Sequence, residues 1–469
     1  MHRKPIFTFV MLITLLVGLV QVSPVGANPP APEDGPVNSP LKTADLQIAT
    51  SAGKTIDQPN MLDVMRIRAR QQLLKEGNIA AASALENADD RILVILVEFD
   101  GTDKFTWTPG ISTWDPIGKA DIAEDADAED CSKIPGIPTE PTEFTYGPTL
   151  HNQIPRPLSA DDRSGDSIWT EDFSPDWYQK FMFGDGVVFN YAREDGSKVL
   201  EDFSGKSVRN YYLDMSGGAY DISGDVIGWL KLPHSTWWYG ADSCTGRRSQ
   251  STMTSSHNGA IPDAGNARSL VQDAVNLVEA QRKAGKLPGF DWKNYDLNGD
   301  GVVDRLWIVH SGYGEEDATT LLNRTDYGEA SMWSHSSAVT PAYSIGDSGI
   351  KAGAYIMMPE NGGIGVFTHE YGHNLGADDL YAYQGGETSA GFWTAMADDW
   401  TGYPIGYEPP SMDPWHLDEW GWLNPYTIND PSKVYTVTVG QTSEFPGGDG
   451  VYRGVKIELP DGHAPLPVA

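Results

Sequence analysis

The pattern of hydrophobic and polar positions predicts buried strands and amphipathic helices along the chain. Ile92–Phe99 is an almost continuous apolar run, which predicts a strand buried on both faces. Arg305–Val309 and Gly353–Met358 predict two further strands. Residues 267–284 repeat their apolar side chains at helical spacing, which predicts a helix with one buried face. The side chains on that face are Leu270, Val271, Ala274, Leu277 and Val278. Together these elements predict an α/β (α+β) fold.

The two ends of the chain have a different character. Residues 28–60 are rich in Pro, Ala, Ser and Asp and lack periodicity, which is typical of a flexible leader. Met61–Glu76 places apolar residues between Arg and Lys, which predicts a helix. After Pro425, Val434–Val439 and Val451–Leu459 predict strands that begin a β-rich region. Two strands do not make an independent domain, so they pack on the preceding unit or the chain is a fragment.

Residues 1–27 have the three parts of a secretory signal peptide. His2, Arg3 and Lys4 are basic, and Ile6–Val20 is an apolar run too short for a comfortable membrane span. Val25–Ala27 supplies small residues for cleavage. We therefore expect a secreted, extracellular protein with no membrane insertion after signal removal; a retained N-terminal anchor is the alternative.

Charge and cysteine content limit the partners. The formal net charge of −32 predicts repulsion from nucleic acid, so no nucleic-acid partner is expected. The same acidity suits calcium, or simply keeps a secreted protein in solution. The two cysteines, Cys131 and Cys244, could form one disulfide, although the sequence does not establish the pairing.

Residues 369–379 contain the most specific motif. His369 and His373 are four residues apart, so on a helix they share a face and can bind one zinc ion. Gly376 can end that helix and turn the chain back, which offers Asp379 as the third ligand. The helix should run from about Gly365 to Leu375. We expect the strand Gly353–Met358, just before it, to lie at the edge of the cleft and to pair with an extended substrate through backbone hydrogen bonds. Glu419, on a later segment, is a rival third ligand.

The chemistry follows from the residue next to the first ligand. Glu370 is placed to take a proton from a zinc-bound water, which predicts a peptide-bond hydrolase. Met396 follows about twenty residues after the helix and is a candidate for the Met-turn of a metzincin-type zinc site. The other histidines lack ligand spacing, and we expect core or surface roles for His151, His234, His257, His310, His335 and His416.

A second motif predicts calcium. The segment from Asp296 to Asp304 reads D-x-N-x-D-G-x-x-D, in which alternate oxygen ligands wrap a Ca²⁺ ion and Gly301 permits a sharp turn. The predicted ligands are Asp296, Asn298, Asp300, Val302 and Asp304. The loop departs from a full EF-hand because Trp307 replaces the closing Glu. We expect a structural calcium ion, with a metal-free polar turn as the alternative.

Beyond these motifs, the chain resembles the immune inhibitor A family of secreted bacterial metalloproteases over roughly residues 90–425. The segments that carry the resemblance are Ser207–Tyr212, Ser216–Gly218, Ile222–Trp229, Met332–His335, Pro359–Glu370, Gly391–Trp400 and Trp415–Trp422. The resemblance implies an endopeptidase with a signal and a propeptide that uses zinc and is stabilised by calcium. It also implies His369, His373 and Asp379 as ligands and Glu370 as the general base. Members often continue into larger C-terminal β-domains.

The predicted organisation has four parts. They are a signal peptide at 1–27, a propeptide at 28–88, a metzincin-like metalloprotease domain at 89–425 and the start of a β-rich region at 426–469. Protein or peptide substrates are the expected partners. The propeptide is the expected latency element. It has no Cys, which excludes a thiol-on-zinc switch; an Asp could serve instead, and nothing in the sequence selects among Asp34, Asp45, Asp57 and Asp63. Two hypotheses stay open beside a protease: a catalytically silent, calcium-stabilised binding or adhesion module, and a zinc hydrolase acting on other substrates.

Overall fold

A computed structural model describes most of the central part of the chain. The described residues are 59–78, 81–82, 89–112, 136–159, 168–241, 265–315, 331–381, 390–398, 406–423, 425–428, 430, 432–439 and 451–457. Several predictions concern residues outside these ranges: the signal peptide, the disulfide between Cys131 and Cys244, and the latency candidates Asp34, Asp45 and Asp57. None of the helices within the described ranges has the length and apolar character needed to cross a bilayer.

The described chain contains both helices and strands. The helices are α1 (Met61–Lys75), α2 (Pro175–Phe183), α3 (Val208–Ser216), α4 (Thr236–Gly240), α5 (Ala267–Lys283), α6 (Ile364–Asn374) and α7 (Pro414–Trp420). Short 3₁₀ turns lie at Trp292–Tyr295 and Gly391–Trp393. The first strands are β1 (Asp90–Phe99), β2 (Asp103–Trp107), β3 (Thr142–Tyr146), β4 (Val188–Ala192), β5 (Lys198–Asp202) and β6 (Ile222–Leu232). The later strands are β7 (Leu306–His310), β8 (His335–Ser344), β9 (Lys351–Pro359), β10 (Tyr426–Ile428), β11 (Thr438–Val439), β12 (Val451–Tyr452) and β13 (Val455–Ile457).

A five-stranded sheet forms the centre of the molecule. Its order is β6-β1-β7-β9-β8. Strands β6, β1, β7 and β9 are parallel, and β8 adds to the edge in the antiparallel direction. The apolar runs predicted as buried strands are therefore confirmed as β1, β7 and β9, each covered on both faces as parallel strands require.

Successive residues of β1 point into two different hydrophobic cores. Ile92, Val94 and Leu96 pack with helices α2, α3, α6 and α7 on one face of the sheet. Leu93, Ile95 and Val97 pack with α5 on the other face. Helix α5 has the predicted amphipathic form: four of its five predicted face residues are fully buried, and Leu277 is partly buried. The result is a layered α/β arrangement with α6 against the sheet.

Two predictions about strands are wrong. We expected β9 to lie at the edge of the substrate cleft, but it lies between β7 and β8, so its backbone bonds are used within the sheet. On this side of the sheet the edge strand is β8, and β6 is the edge strand on the other side. The predicted strand Val434–Val439 is also too long, because the structure has a strand only at Thr438–Val439, where β12 provides a pairing partner. Val434 is 97% exposed.

Helix α1, which lies within the predicted propeptide, packs against the rest of the fold. Its predicted helical conformation is confirmed. Ile67 is buried in the same core as α6, and the Asn60 backbone N–H donates to the His373 carbonyl oxygen at 2.8 Å. A Cβ atom on Gly376 would lie 3.0 Å from Ile67 Cδ1, so glycine permits this close contact. Helix α1 thus covers the C-terminal end of α6.

Candidate metal centre

Three predicted ligands converge at one point beside α6. His369 Nε2 lies 3.2 Å from His373 Nε2, and Asp379 Oδ1 lies 3.1 Å and 3.3 Å from these two nitrogens. The side chains of His373 and Asp379 are fully buried, and that of His369 is 8% exposed. Among the described residues, this trio is the group of His, Cys, Asp or Glu side chains that meets the geometry for holding a metal ion.

The outer nitrogens of both imidazoles are held by backbone carbonyls. His369 Nδ1 lies 2.7 Å from the Ala395 oxygen, and His373 Nδ1 lies 2.8 Å from the Ala377 oxygen. A carbonyl oxygen only accepts, so each Nδ1 carries the proton and, in the neutral ring, each Nε2 presents a lone pair. This pattern is the usual one for histidine ligands, in which the outer nitrogen fixes the tautomer and the ring orientation.

The donor set and its spacing fit a zinc ion. Tetrahedral zinc with bonds of about 2.0–2.1 Å requires ligand atoms about 3.3–3.4 Å apart, and the three separations here are 3.1–3.3 Å. Burial raises the pKa of Asp379, but the adjacent His373 and His369 outweigh this effect and hold that pKa below its usual range. Two nitrogen lone pairs and a carboxylate oxygen repel one another unless a cation lies between them. The three residues therefore fit a bound zinc ion.

A glycine turn brings Asp379 to the two histidines. Helix α6 ends at Asn374, within one residue of the predicted end, and Gly376 has a φ of +91°. A positive φ is a conformation that glycine adopts without strain. The Ala377 N–H then donates to the Gly372 carbonyl at 3.0 Å, which folds the chain back along the helix. The predicted turn is confirmed, and it explains how three candidate ligands from a short stretch of sequence can meet.

Met396 packs directly beneath the ligand helix. Its side chain is fully buried, and a Cβ atom on Gly372 would lie only 2.6 Å from Met396 Sδ. Glycine therefore lets the methionine approach the helix between the two histidine positions. The Met396 carbonyl also accepts a hydrogen bond from the Leu380 N–H at 2.7 Å, next to Asp379.

The two glutamates considered for catalysis and ligation lie in different places. Glu370 is on α6 beside His369 and is 4% exposed. Glu419, the rival ligand, accepts a hydrogen bond from Gln71 of α1 at 3.1 Å and is not part of the metal-holding group. Burial raises the pKa of Glu419 above its ordinary value. The geometry therefore favours Asp379 over Glu419.

The predicted calcium loop forms a tight turn. Gly301 has a φ of +84°, as expected for the sixth position. Side-chain oxygens of the loop accept hydrogen bonds from backbone N–H groups of the same loop. Asp296 Oδ2 accepts from the Gly301 N–H at 3.0 Å, and Asn298 Oδ1 accepts from the Asp300 N–H at 2.8 Å. Burial raises the pKa of Asp304 to about 6. The loop's acidic residues are not in the metal-holding group identified among the described residues, so calcium ligation stays a prediction.

Sequence reasoning missed a hydrogen-bond network around the ligand segment. His416 Nε2 lies 3.2 Å from the Asp378 backbone nitrogen, and His416 Nδ1 lies 2.7 Å from Asp413 Oδ2. Asp413 Oδ2 also accepts from Thr394 Oγ1 at 2.9 Å. Asp413 caps α7 by accepting from the His416 N–H. The Asp-Pro-x-His order marks a helix start, but nothing in it indicates a contact with residue 378.

The structure also contains a buried charge cluster behind α6. Arg305 donates to Asp63 of α1, to Asp90 of β1 and to the carbonyl of Asn374 at the end of α6. Burial lowers the Arg305 pKa, but the two carboxylates outweigh this and hold it well above its usual range. Asp63, one of the four latency candidates, is therefore engaged by Arg305.

The fold and the trio of candidate ligands are consistent with a metallopeptidase catalytic unit. Comparison with known protein families agrees with this. The family model described as "Immune inhibitor A peptidase M6, catalytic domain" matches residues 80–423 of the chain. The chain belongs to the immune inhibitor A peptidase M6 family.

Curated relatives carry related names. The chain is 32% identical over 290 residues to Immune inhibitor A of Bacillus thuringiensis subsp. alesti, a match that covers 57% of this chain and 37% of that protein. It is 28% identical over 270 residues to the Pre-pro-metalloprotease PrtV of Vibrio cholerae serotype O1, covering 52% of this chain and 26% of the relative. The chain therefore spans a minor part of the length of these relatives.

Proposed function

We propose that the protein is a secreted, zinc-dependent endopeptidase that hydrolyses peptide bonds in proteins. The observation that carries this proposal is the convergence of His369, His373 and Asp379, with separations of 3.1–3.3 Å, beside helix α6, which also carries Glu370. Membership of a peptidase family and the name of a metalloprotease relative support the same activity.

The proposed roles follow from the donors and their surroundings. A zinc ion held by the trio would lower the pKa of a bound water and polarise the substrate carbonyl. Glu370 would accept a proton from the attacking water at its carboxylate and deliver that proton to the leaving amine. The Ala395 and Ala377 carbonyls would keep the two imidazoles in the ligating tautomer. We further propose that Met396 forms a Met-turn of the metzincin type beneath the site.

We propose that the substrate binds along β8. In the described part of the chain this strand is one of the two edges of the central sheet, and it lies next to β9, which leads into the site helix. An extended peptide adds to a free strand edge through backbone hydrogen bonds, and this mode tolerates varied side chains. Such binding suits an enzyme that cleaves within protein chains.

The remaining parts of the proposal concern processing and stability. We propose the signal peptide at 1–27, the propeptide at 28–88, the catalytic domain at 89–425 and the β-rich region from 426, as the sequence patterns predict. The docking of α1 over the end of α6 supports a role for the propeptide in controlling the site. Calcium at Asp296–Asp304 and a disulfide between Cys131 and Cys244 complete the proposal.

Cleavage of a broad peptide mixture tests this function. Purified, processed protein is incubated with casein and with a peptide library, first zinc-loaded, then after a zinc-selective chelator, and again after zinc is restored. Cleavage that is lost and regained with zinc supports a zinc endopeptidase. A zinc-loaded protein that cleaves neither would overturn the proposal in favour of a silent binding module or a hydrolase of other substrates.

A further inference from the structure

The backbone around the third ligand is held at successive residues. The Ala377 N–H donates to the Gly372 carbonyl and the Leu380 N–H donates to the Met396 carbonyl. Between them, the Asp378 N–H donates to His416 Nε2 at 3.2 Å. Two of these partners are backbone carbonyls, whereas His416 is a side chain. A substitution at this position can therefore loosen the ligand segment without changing a ligand.

Hydrogen bonding fixes the state of the His416 ring. A backbone N–H can only donate, so His416 Nε2 must be an acceptor with no proton. The proton is then on Nδ1, which donates to Asp413 Oδ2 at 2.7 Å. His416 is fully buried, and its helix begins at Pro414 with Asp413 as the N-cap. Both the ring and its orienting carboxylate are therefore fixed by α7.

The same carboxylate reaches the segment beneath the metal site. Asp413 Oδ2 accepts from Thr394 Oγ1, and Thr394 Oγ1 accepts from the Met396 N–H at 3.2 Å. Ala395, between these two residues, supplies the carbonyl that orients His369. The start of α7 is thus bonded both to the segment that orients the first ligand and to the residue before the third ligand.

We infer that His416 is a positioning residue for Asp379: it holds the Asp378 N–H so that the Asp379 carboxylate meets the two histidines. The inference rests on the proposed metal site. His416 makes no contact with the metal itself in this scheme. Substitution of residues that orient metal ligands through hydrogen bonds typically lowers metal affinity by about 10–100-fold. We expect a loss of this size when His416 is substituted.

Two substitutions at His416 separate its two contacts. In His416→Asn the amide can still reach Asp413 from near the Nδ1 position, but it is too short to reach the Asp378 N–H. In His416→Gln the longer amide places an acceptor near the Nε2 position. The matched control is His335→Asn, since His335 is equally buried and bonds to the Trp333 carbonyl and to Tyr355 instead.

The experiment measures the zinc dissociation constant of each full-length variant by chelator competition, together with the visible spectrum of the cobalt(II)-loaded protein. We expect His416→Asn to weaken zinc about 10–100-fold and to change the cobalt spectrum. His416→Gln should recover much of the zinc affinity, and His335→Asn should bind zinc as tightly as the wild type. A merely structural role would lower the melting temperature and leave the cobalt spectrum of the folded protein unchanged.

Three other outcomes would contradict the role of His416. If folded His416→Asn binds zinc as tightly as wild type, the inference is wrong while the metal site stands. If wild type itself binds no zinc, the proposed function and this inference both fail. If His416→Asn does not fold, His416→Phe fills the same space and removes the same acceptor, and a loss of less than about threefold would overturn the inference.

Discussion

Arg305 and Asp63 form a buried ion pair that joins helix α1 to the C-terminal end of α6. Arg305 Nη1 lies 2.8 Å from Asp63 Oδ2, and the same nitrogen lies 2.9 Å from the Asn374 carbonyl oxygen at the end of α6. Both side chains are less than 10% exposed. Helix α1 and the ligand helix are therefore connected through one guanidinium group.

Removing one member of this pair should destabilise the protein strongly. We expect Asp63→Ala to lower the free energy of unfolding by about 3 kcal/mol, because a buried charge loses a partner, with Asp90 limiting the damage. Urea denaturation measures the change. Glu143→Ala is the control, since it breaks the exposed pair with Lys104 and should have little effect. Equal effects of the two substitutions would contradict the role assigned to Asp63.

Glu360 should make stability depend on pH. Burial raises its pKa from 4.5 to about 7 although the Asn152 and Gly312 amides donate to it. Between about pH 4.5 and 7 the folded state keeps a proton that the unfolded state releases, so stability falls as pH rises. Glu360→Gln should flatten this part of the profile, which denaturation across the range can measure. A wild-type profile that the substitution leaves unchanged would contradict the assignment.

The two rival third ligands can be separated by zinc affinity. Asp379→Ala removes an oxygen that lies 3.1–3.3 Å from both histidine nitrogens, so zinc binding should weaken by more than about 100-fold. Glu419→Ala removes a partner of Gln71 and should leave zinc affinity near the wild-type value. Chelator competition gives both constants. The reverse order would transfer the ligand role to Glu419.

The convergence of the three candidate metal ligands could be predicted from the sequence because they are close together in the chain. Helical spacing places His369 and His373 on one face, and the glycine turn at Gly376 brings in Asp379 a few residues later. The buried strands were equally predictable, since long apolar runs specify burial on both faces.

The supporting contacts could not be predicted because they join residues far apart in the chain. Arg305 meets Asp63 across 242 positions, and His416 meets Asp378 across 38. Periodicity identifies the face that a residue occupies but not its partner across the fold. The prediction that β9 lies at the cleft edge failed for the same reason. An apolar run predicts a strand but not which strands lie on either side of it, and β9 lies between β7 and β8.

The most direct test compares casein hydrolysis by wild type and Glu370→Gln, each purified with one bound zinc ion. This substitution keeps the size of the side chain and leaves the metal ligands in place, but the amide cannot accept the proton that the carboxylate accepts. We predict equal zinc content and a rate about 10²–10⁴-fold lower in the variant, the usual contribution of a general base. Equal rates in the two proteins would contradict the account, because the zinc site would then act without Glu370.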